Sequence, residues 1–582
     1  MIGNRLPSPL SALAWEIWRQ KRWWFCLSAA LTIAAYVFNL CFPATIRYSA
    51  TGYDRLLPIN GFMVAGALLL IFGAFNYTGF NPQKEWTGFP YHLFALPVKT
   101  VVLVTVPLAL GVLAVETVFV AWAKFAFTFN ERMSAPWMAV LIGAYMIFYQ
   151  TILWVLAAFR SLRVITLAMT GTSFVGVAFL PALGEYIPSP WLSQRFGMAM
   201  MTGLVVVAFF IAWSGVARQR FGGGQRRNIV RAWLDWAEDR LPRRERPFRS
   251  AADAQFWFEW RRSGRLLPLC FAAILIVVVL PLSWLLRHDP NAVVWILGWI
   301  LATPLILAVP IGKGFSKPDF WSPSLSVSSF LATRPLATGE WIVIKMKVAA
   351  WSTILTWTLV LAFLSAWLPL WANLDSLNSV RVVLWMVHGH SVYPQYLLAS
   401  FGFLAVALIT WKFLVNGLWI GLSGRRRLFV GSAALYGFIC LAGMITLTIV
   451  MNREEGAGPP TPYDPDRLVA TVQWIVAGAV MAKFGLAAWS WRSIRACRVQ
   501  QYLWLWIGGT LALVIGAVMV WSDGTLSALL MAVLGFPPID SLRLASLLVL
   551  SALLTIPLAR LGLAPTALAG NRHGLCVRSA AL

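Results

Sequence analysis

From residue 24 to residue 562 the chain alternates long apolar runs with short polar segments, and runs such as Leu266 to Leu286 and Leu503 to Trp521 are apolar on every face. About 20 largely apolar residues carry a helix across a hydrocarbon layer about 30 Å thick, whereas barrel strands alternate apolar and polar positions over about ten residues. The pattern therefore predicts helices. Spans fall at roughly 24–42, 59–80, 101–123, 136–158, 164–182, 197–217, 266–286, 292–312, 341–370, 396–421, 428–451, 468–491, 503–521 and 543–562. The expected fold is an all-α polytopic transmembrane helical bundle of about 14 spans, with a range of 12–14.

Composition agrees. Hydrophobic residues fill 59% of the 582 positions and charged residues 12%, about half the charged share of an ordinary soluble chain. The net charge of +25 would suit a nucleic-acid binder, but the basic residues sit between apolar runs in alternately dense and sparse loops, as the positive-inside rule requires. With the N-terminus inside, about 35 Lys and Arg fall on the cytoplasmic side and about ten outside. The expectation is a cell (inner) membrane protein with both termini cytoplasmic and no nucleic-acid partner. The first residues lack a secretory signal and its cleavage site, and the six cysteines lie far apart with neither redox nor metal-ligand spacing.

The polar segments repeat. Residues 10–18 place apolar side chains at helical spacing beside Glu16, Arg19, Lys21 and Arg22, which reads as an interfacial helix before the first span. Trp15, Trp18 and Arg19 find counterparts in Trp257, Trp260 and Arg261 before another long run. Leu96-Pro97-Val98-Lys99-Thr100 opens the third span as Arg334-Pro335-Leu336-Ala337-Thr338 opens the ninth, and Trp154 with Arg160 and Arg163 is echoed by Trp419 with Arg425, Arg426 and Arg427. Because six spans restore the starting side, the second half enters with the same orientation, a parallel repeat. The expected organisation is a six-span half over 1–217, a basic cytoplasmic linker over 218–265, a second half over 266–500, and two added spans with a tail over 501–582. Within the linker, residues 228–236 read as an amphipathic helix whose Trp and Arg suit anionic lipid headgroups or an acidic partner.

With these features the chain resembles the membrane subunit of ABC exporters of the type-2 permease family over most of residues 9–500. In that family a half-transporter has an interfacial helix, six spans and a first cytoplasmic loop whose short coupling helix docks on the ATPase. Residues Glu85 to Pro97 look like that loop, with Glu85, Trp86, Phe89, Leu96, Pro97 and Thr100 as its contact positions, and Phe330, Arg334, Pro335 and Thr338 as those of the second half. The second copy departs from the first: Arg334 stands where Leu96 does, and Glu85 has no clear equivalent. The resemblance implies ATPase subunits supplied separately, two copies if both halves dock, carrying the ATP and Mg. This chain has no GxxxxGK[ST] phosphate loop of its own, so neither an enzyme nor a resident cofactor is expected. Phe221-Gly222-Gly223-Gly224-Gln225-Arg226 lacks the domain an ATPase signature needs, and Ser423-Gly424-Arg425-Arg426-Arg427 reads as a solvated basic cluster.

Three ionisable residues fall inside expected spans, Glu116, Lys412 and Lys483, together with Gln150 and Asn416. The ionisable three line a polar path, with Glu116 neutralising a lysine across the interface of the halves, or snorkel to a nearby boundary, and Gln150 and Asn416 serve the same path or hydrogen-bond between helices. An ion- or proton-coupled secondary transporter, using Glu116, Lys412 and Lys483, is the alternative function. A lipid-linked transferase, for which Asp54 is the one outer acidic residue of the right kind, comes third. No metal site is expected, since His388 and His390 have only Asp375 near them in sequence.

Overall fold

A computed structural model of the chain describes residues 9–41, 57–81, 86–125, 135–178, 194–221, 248–285, 292–318, 320, 325–327, 332–334, 336–371, 393–425, 428, 431–432, 465–489, 508 and 563–572. These residues are helical apart from one short antiparallel ribbon and the connecting turns. Seven helices among them are long and apolar enough to cross a membrane, and three more apolar helices are shorter. The protein is thus a membrane-embedded helical bundle. Glu85, Phe330 and Pro335 lie outside the described residues, as do the linker helix 228–236, the glycine run 222–224 and most of the expected spans 428–451, 503–521 and 543–562. The chain divides into two compact units, Met1–Glu245 with Tyr436–Gly456, and Arg246–Leu435 with Ala457–Leu582.

The first unit holds α1 (Pro9–Cys41), α2 (Leu57–Ala74), the ribbon β1 (Gly79–Asn81) and β2 (Trp86–Gly88), a 3-10 turn (Tyr91–Ala95), α3 (Thr100–Phe125), α4 (Ala135–Val155), α5 (Arg160–Ala178) and α6 (Gln194–Arg220). The expected interfacial stretch and first span form one unbroken helix. At about 1.5 Å per residue, the 33 residues of α1 measure about 50 Å, some 20 Å more than a hydrocarbon core. The surplus accommodates Glu16, Arg19, Lys21 and Arg22. Helix α1 packs on α2 and α3, and α4 on α3, α5 and α6. The core of the unit runs from Leu13 and Ile17 through Ile71, Phe75, Leu103 and Val104 to Trp154, Ala212 and Val216, and it includes the loop residues Phe89 and Leu93.

The second unit begins with a helical rod built of α7 (Ala251–Glu259), a π-helical turn (Trp260–Gly264), α8 (Leu266–Ile274), a second π-helical turn (Leu275–Val279) and α9 (Leu280–Leu285). Ser250 caps it by accepting a hydrogen bond from the Asp253 amide. Helices α10 (Ala292–Phe315), α11 (Thr338–Trp371), α12 (Tyr393–Val415), α13 (Leu418–Gly421) and α14 (Pro465–Trp489) follow, and the last described stretch, 563–572, is α15. Small residues let backbones meet here, as membrane helix packing favours. A Cβ on Gly312 would stand 2.3 Å from the Phe413 carbonyl oxygen, and one on Gly421 at 2.3 Å from that of Ser316. Indole N–H groups tie α11 to its neighbours: Trp357 donates to Thr410, Trp367 to Ser283, while Trp411 donates to the Met346 carbonyl.

Candidate functional site: two clamped proline elbows

In the first unit the chain leaves α2, turns through the ribbon and reaches α3 by way of the Leu96-Pro97 elbow. The turn is anchored on the end of α4. Trp154, fully buried, donates from its indole to the Tyr77 carbonyl at 2.8 Å, and the Phe89 ring meets it edge-on at 5.2 Å and stacks on Phe94 at 5.5 Å. Two glycines permit this closeness: a Cβ on Gly79 would lie 2.9 Å from Pro90 Cα, and one on Gly88 would lie 2.8 Å from Ala157 Cβ. Helix α6 then closes the elbow with its last two residues. Gln219 donates to the Trp154 carbonyl at 2.7 Å, while Arg220 donates to the carbonyls of Leu96 and Val98 and to the Thr100 hydroxyl. From below, the Glu16 carboxylate of α1 meets His92 Nε2 at 2.9 Å. With Phe89, Leu93 and Thr100 buried, the 3-10 turn and elbow keep Tyr91, His92, Leu96, Pro97 and Lys99 exposed.

The second unit repeats the arrangement with different side chains. Asn571 of α15 donates to the Leu422 carbonyl at 3.0 Å and to that of Leu325 at 2.9 Å. Arg572 donates to the carbonyls of Ala332, Leu336 and Arg334 at 2.8, 2.8 and 2.6 Å. The two carbonyls flanking position 335 are held as those flanking Pro97 are, by the same nitrogens of a helix-borne arginine. Since the clamp takes backbone oxygens, the exchange of Leu96 for Arg334 leaves it intact. Gly424 completes the correspondence: at φ +72° it takes a left-handed turn that a side chain disfavours, and a Cβ there would stand 2.6 Å from Asn571 Oδ1. The glycine of the basic cluster at 423–427 is thereby explained by geometry.

Beneath this second elbow lies a buried polar chain that the hydropathy pattern did not reveal. Glu259 accepts from Gln255 at 3.0 Å and from the Trp341 indole at 3.1 Å, and it pairs with Lys345 at 3.4 Å. Lys345 also donates to the carbonyls of Phe315 and Lys317. Arg334 donates to Gln255, and its guanidinium lies 4.5 Å from the centroid of the Phe258 ring. In each unit, then, the first helix sets a carboxylate under the elbow, Glu16 in one and Glu259 in the other. Lys345 escaped notice because it stands near the start of a long apolar helix, and Glu259 because it stands among aromatic and basic neighbours. The Glu–Trp–Arg-Arg order at 259–262 was the available signal.

The expected intramembrane polar residues are distributed over both units. In the first, α3 and α4 make two notches: a Cβ on Gly143 would stand 2.7 Å from Glu116 Oε1, and one on Gly111 would stand 2.4 Å from Gln150 Nε2. Gln150 is buried and donates to the Pro107 carbonyl at 3.4 Å. In the second, Lys412 and Asn416 are half-buried at the end of α12, and Lys483 of α14 is buried. Among the described residues no three His, Cys, Asp or Glu side chains stand together as metal ligands. Set against protein-family models, curated proteins and solved structures, the chain has no match.

Proposed function

We propose that this chain is the membrane subunit of an ATP-driven exporter of the ABC type-2 class, its two elbows receiving separate ATPase subunits that carry ATP and Mg. The observation that supports this reading is the recurrence of the arginine clamp. A loop that only connects two helices needs no fastening to the end of a third. The first elbow is tied to α1, α4 and α6 and the second to α7 and α15, so a push on either surface reaches several helices at once. Such stiffness suits transmission of force from a partner to a bundle that rocks as rigid bodies. In the first unit Tyr91, His92 and Leu96 offer the exposed face for that partner.

In this reading the elbows face the cytoplasm with the basic loops, and the membrane is the inner one. The test is recovery of the tagged chain from its own membrane in mild detergent, with a cysteine at Leu96 and a bifunctional crosslinker. An ATPase subunit crosslinked at Leu96 is expected, with ATP hydrolysis in the recovered complex. Purified chain that recovers no ATPase, and transports in vesicles without ATP, would establish the coupled-carrier alternative instead.

A further inference from the structure

Beside the second elbow, side chains of Phe248, α7, the first π-helical turn, Arg334 and Leu336 line a groove of about 590 Å³. Its floor is apolar, with Ala251, Ala254, Trp257 and Phe258, while Arg261, Arg262 and Arg334 line it, with no carboxylate among the described lining residues. The guanidinium carbons of Arg262 and Arg334 lie 5.2 and 4.5 Å from the centroid of one ring, that of Phe258, and so within about 10 Å of each other. The groove stands where the arginines of the first π-helical turn give way to apolar α8, the kind of boundary at which phospholipid headgroups meet a spanning helix.

We infer that this groove binds one anionic phospholipid, its phosphate held by Arg261, Arg262 and Arg334 and the start of its acyl chains laid along Trp257 and Phe258. Three features favour a lipid over other anions: the polar and apolar parts are adjoining, the arginines present planar forks that match phosphate oxygens, and the site adjoins the start of apolar α8. Burial pulls the Arg334 guanidinium below its ordinary value, against the opposing charge of Glu259 and aided by that of Arg262; a phosphate in the groove offsets the repulsion between the two arginines. The inference does not depend on the exporter reading, since a carrier would hold the same lipid.

The full chain, purified in a nonionic detergent and examined by native mass spectrometry with equimolar phosphatidylglycerol and phosphatidylcholine, tests it. One retained phosphatidylglycerol is expected, and the R261Q/R262Q double variant is expected to lower its retention about tenfold. Ala254→Phe, which fills the floor and leaves every arginine in place, is expected to do the same, so loss of fold in the double variant would not leave the question open. Equal retention of the two lipids by the parent chain, or unchanged retention in a folded double variant, would overturn the inference. So would complete displacement of the lipid by millimolar inorganic phosphate, which marks a simple anion site, or capture of a polyglutamate peptide in place of the lipid, which marks a site for acidic protein.

Discussion

Arg572 donates from Nη2 to the carbonyl of Arg334, 238 residues earlier, at 2.6 Å, and thereby fastens the end of the described chain to the elbow that opens α11. Arg220 does the same for Leu96 at 2.7 Å. A guanidinium reaches several carbonyls at once because its donors are spread in a rigid plane, whereas an ammonium presents a single point. Arg220→Lys and Arg572→Lys should therefore each lower the melting temperature of the detergent-solubilised chain by about 2–4 °C, a loss on the order of 1 kcal/mol for a unit of this size. Under the exporter function proposed above, recovery of an ATPase partner should fall in parallel. A lysine variant that melts with the parent and recovers the partner fully would show that the clamp holds nothing.

The buried pair of Glu259 and Lys345 calls for a double-mutant cycle. Both side chains are nearly excluded from solvent, so removal of one leaves the other as an uncompensated buried charge, at a cost of about 3–5 kcal/mol. Glu259→Gln and Lys345→Met are expected to destabilise strongly when single. Together they should cost much less than the sum, because neither leaves a charge behind. Thermal melts of the four proteins measure the coupling, and simple additivity would remove the pair from the account.

The α3–α4 seam offers a steric test. Gly111→Ala sets a methyl group 2.4 Å from Gln150 Nε2 and 2.8 Å from Met146 Cε, so the ends of both side chains must turn aside, and overpacking of that kind costs about 1 kcal/mol, the low end of its range. Gln150→Ala in the same chain removes the closest contact and should recover part of the loss. If Gly111→Ala alone melts with the parent, the two helices are less closely packed than described.

How far the sequence disclosed this arrangement follows from what each feature is made of. Apolar runs are written in side chains, so the helices containing Leu266, Thr100 or Thr338 were legible at once. The continuity of α1 was not, because the polar residues from Glu16 to Arg22 mark where a helix leaves the apolar layer without stopping it. Leu96-Pro97 and Arg334-Pro335 announced their likeness through proline and position. Their clamp stayed hidden, since it joins backbone oxygens, which no sequence displays, to Arg220 and Arg572, which look like ordinary basic residues. Glu259 and Lys345 stayed hidden for another reason. Charge pairing across 86 residues depends on how the rod lies against α11, and that is settled by packing.

Tyr77 follows the end of α2 and is 2% exposed, its ring edge-on to Phe89. Among the described residues its hydroxyl finds no hydrogen-bond partner, and burial, with a smaller contribution from the charge of Glu16, pushes its phenol well above the ordinary value. The folded state thus keeps the phenol neutral at a pH where the unfolded chain, titrating near the usual value of about 10, has released its proton. Below that pH the two states hold the same proton and nothing is lost. Above it, stability falls by about 1.4 kcal/mol for each further pH unit on account of this one group. Tyr77→Phe should leave stability at pH 7 unchanged or slightly raised, because no bond is removed and a buried hydroxyl is. Melting temperatures of the parent and the variant plotted from pH 8 to 11 should run parallel at first and diverge above pH 10, with the variant the more stable. Parallel curves throughout would mean that water reaches the Tyr77 hydroxyl, and that the turn onto Trp154 is looser than its buried rings indicate.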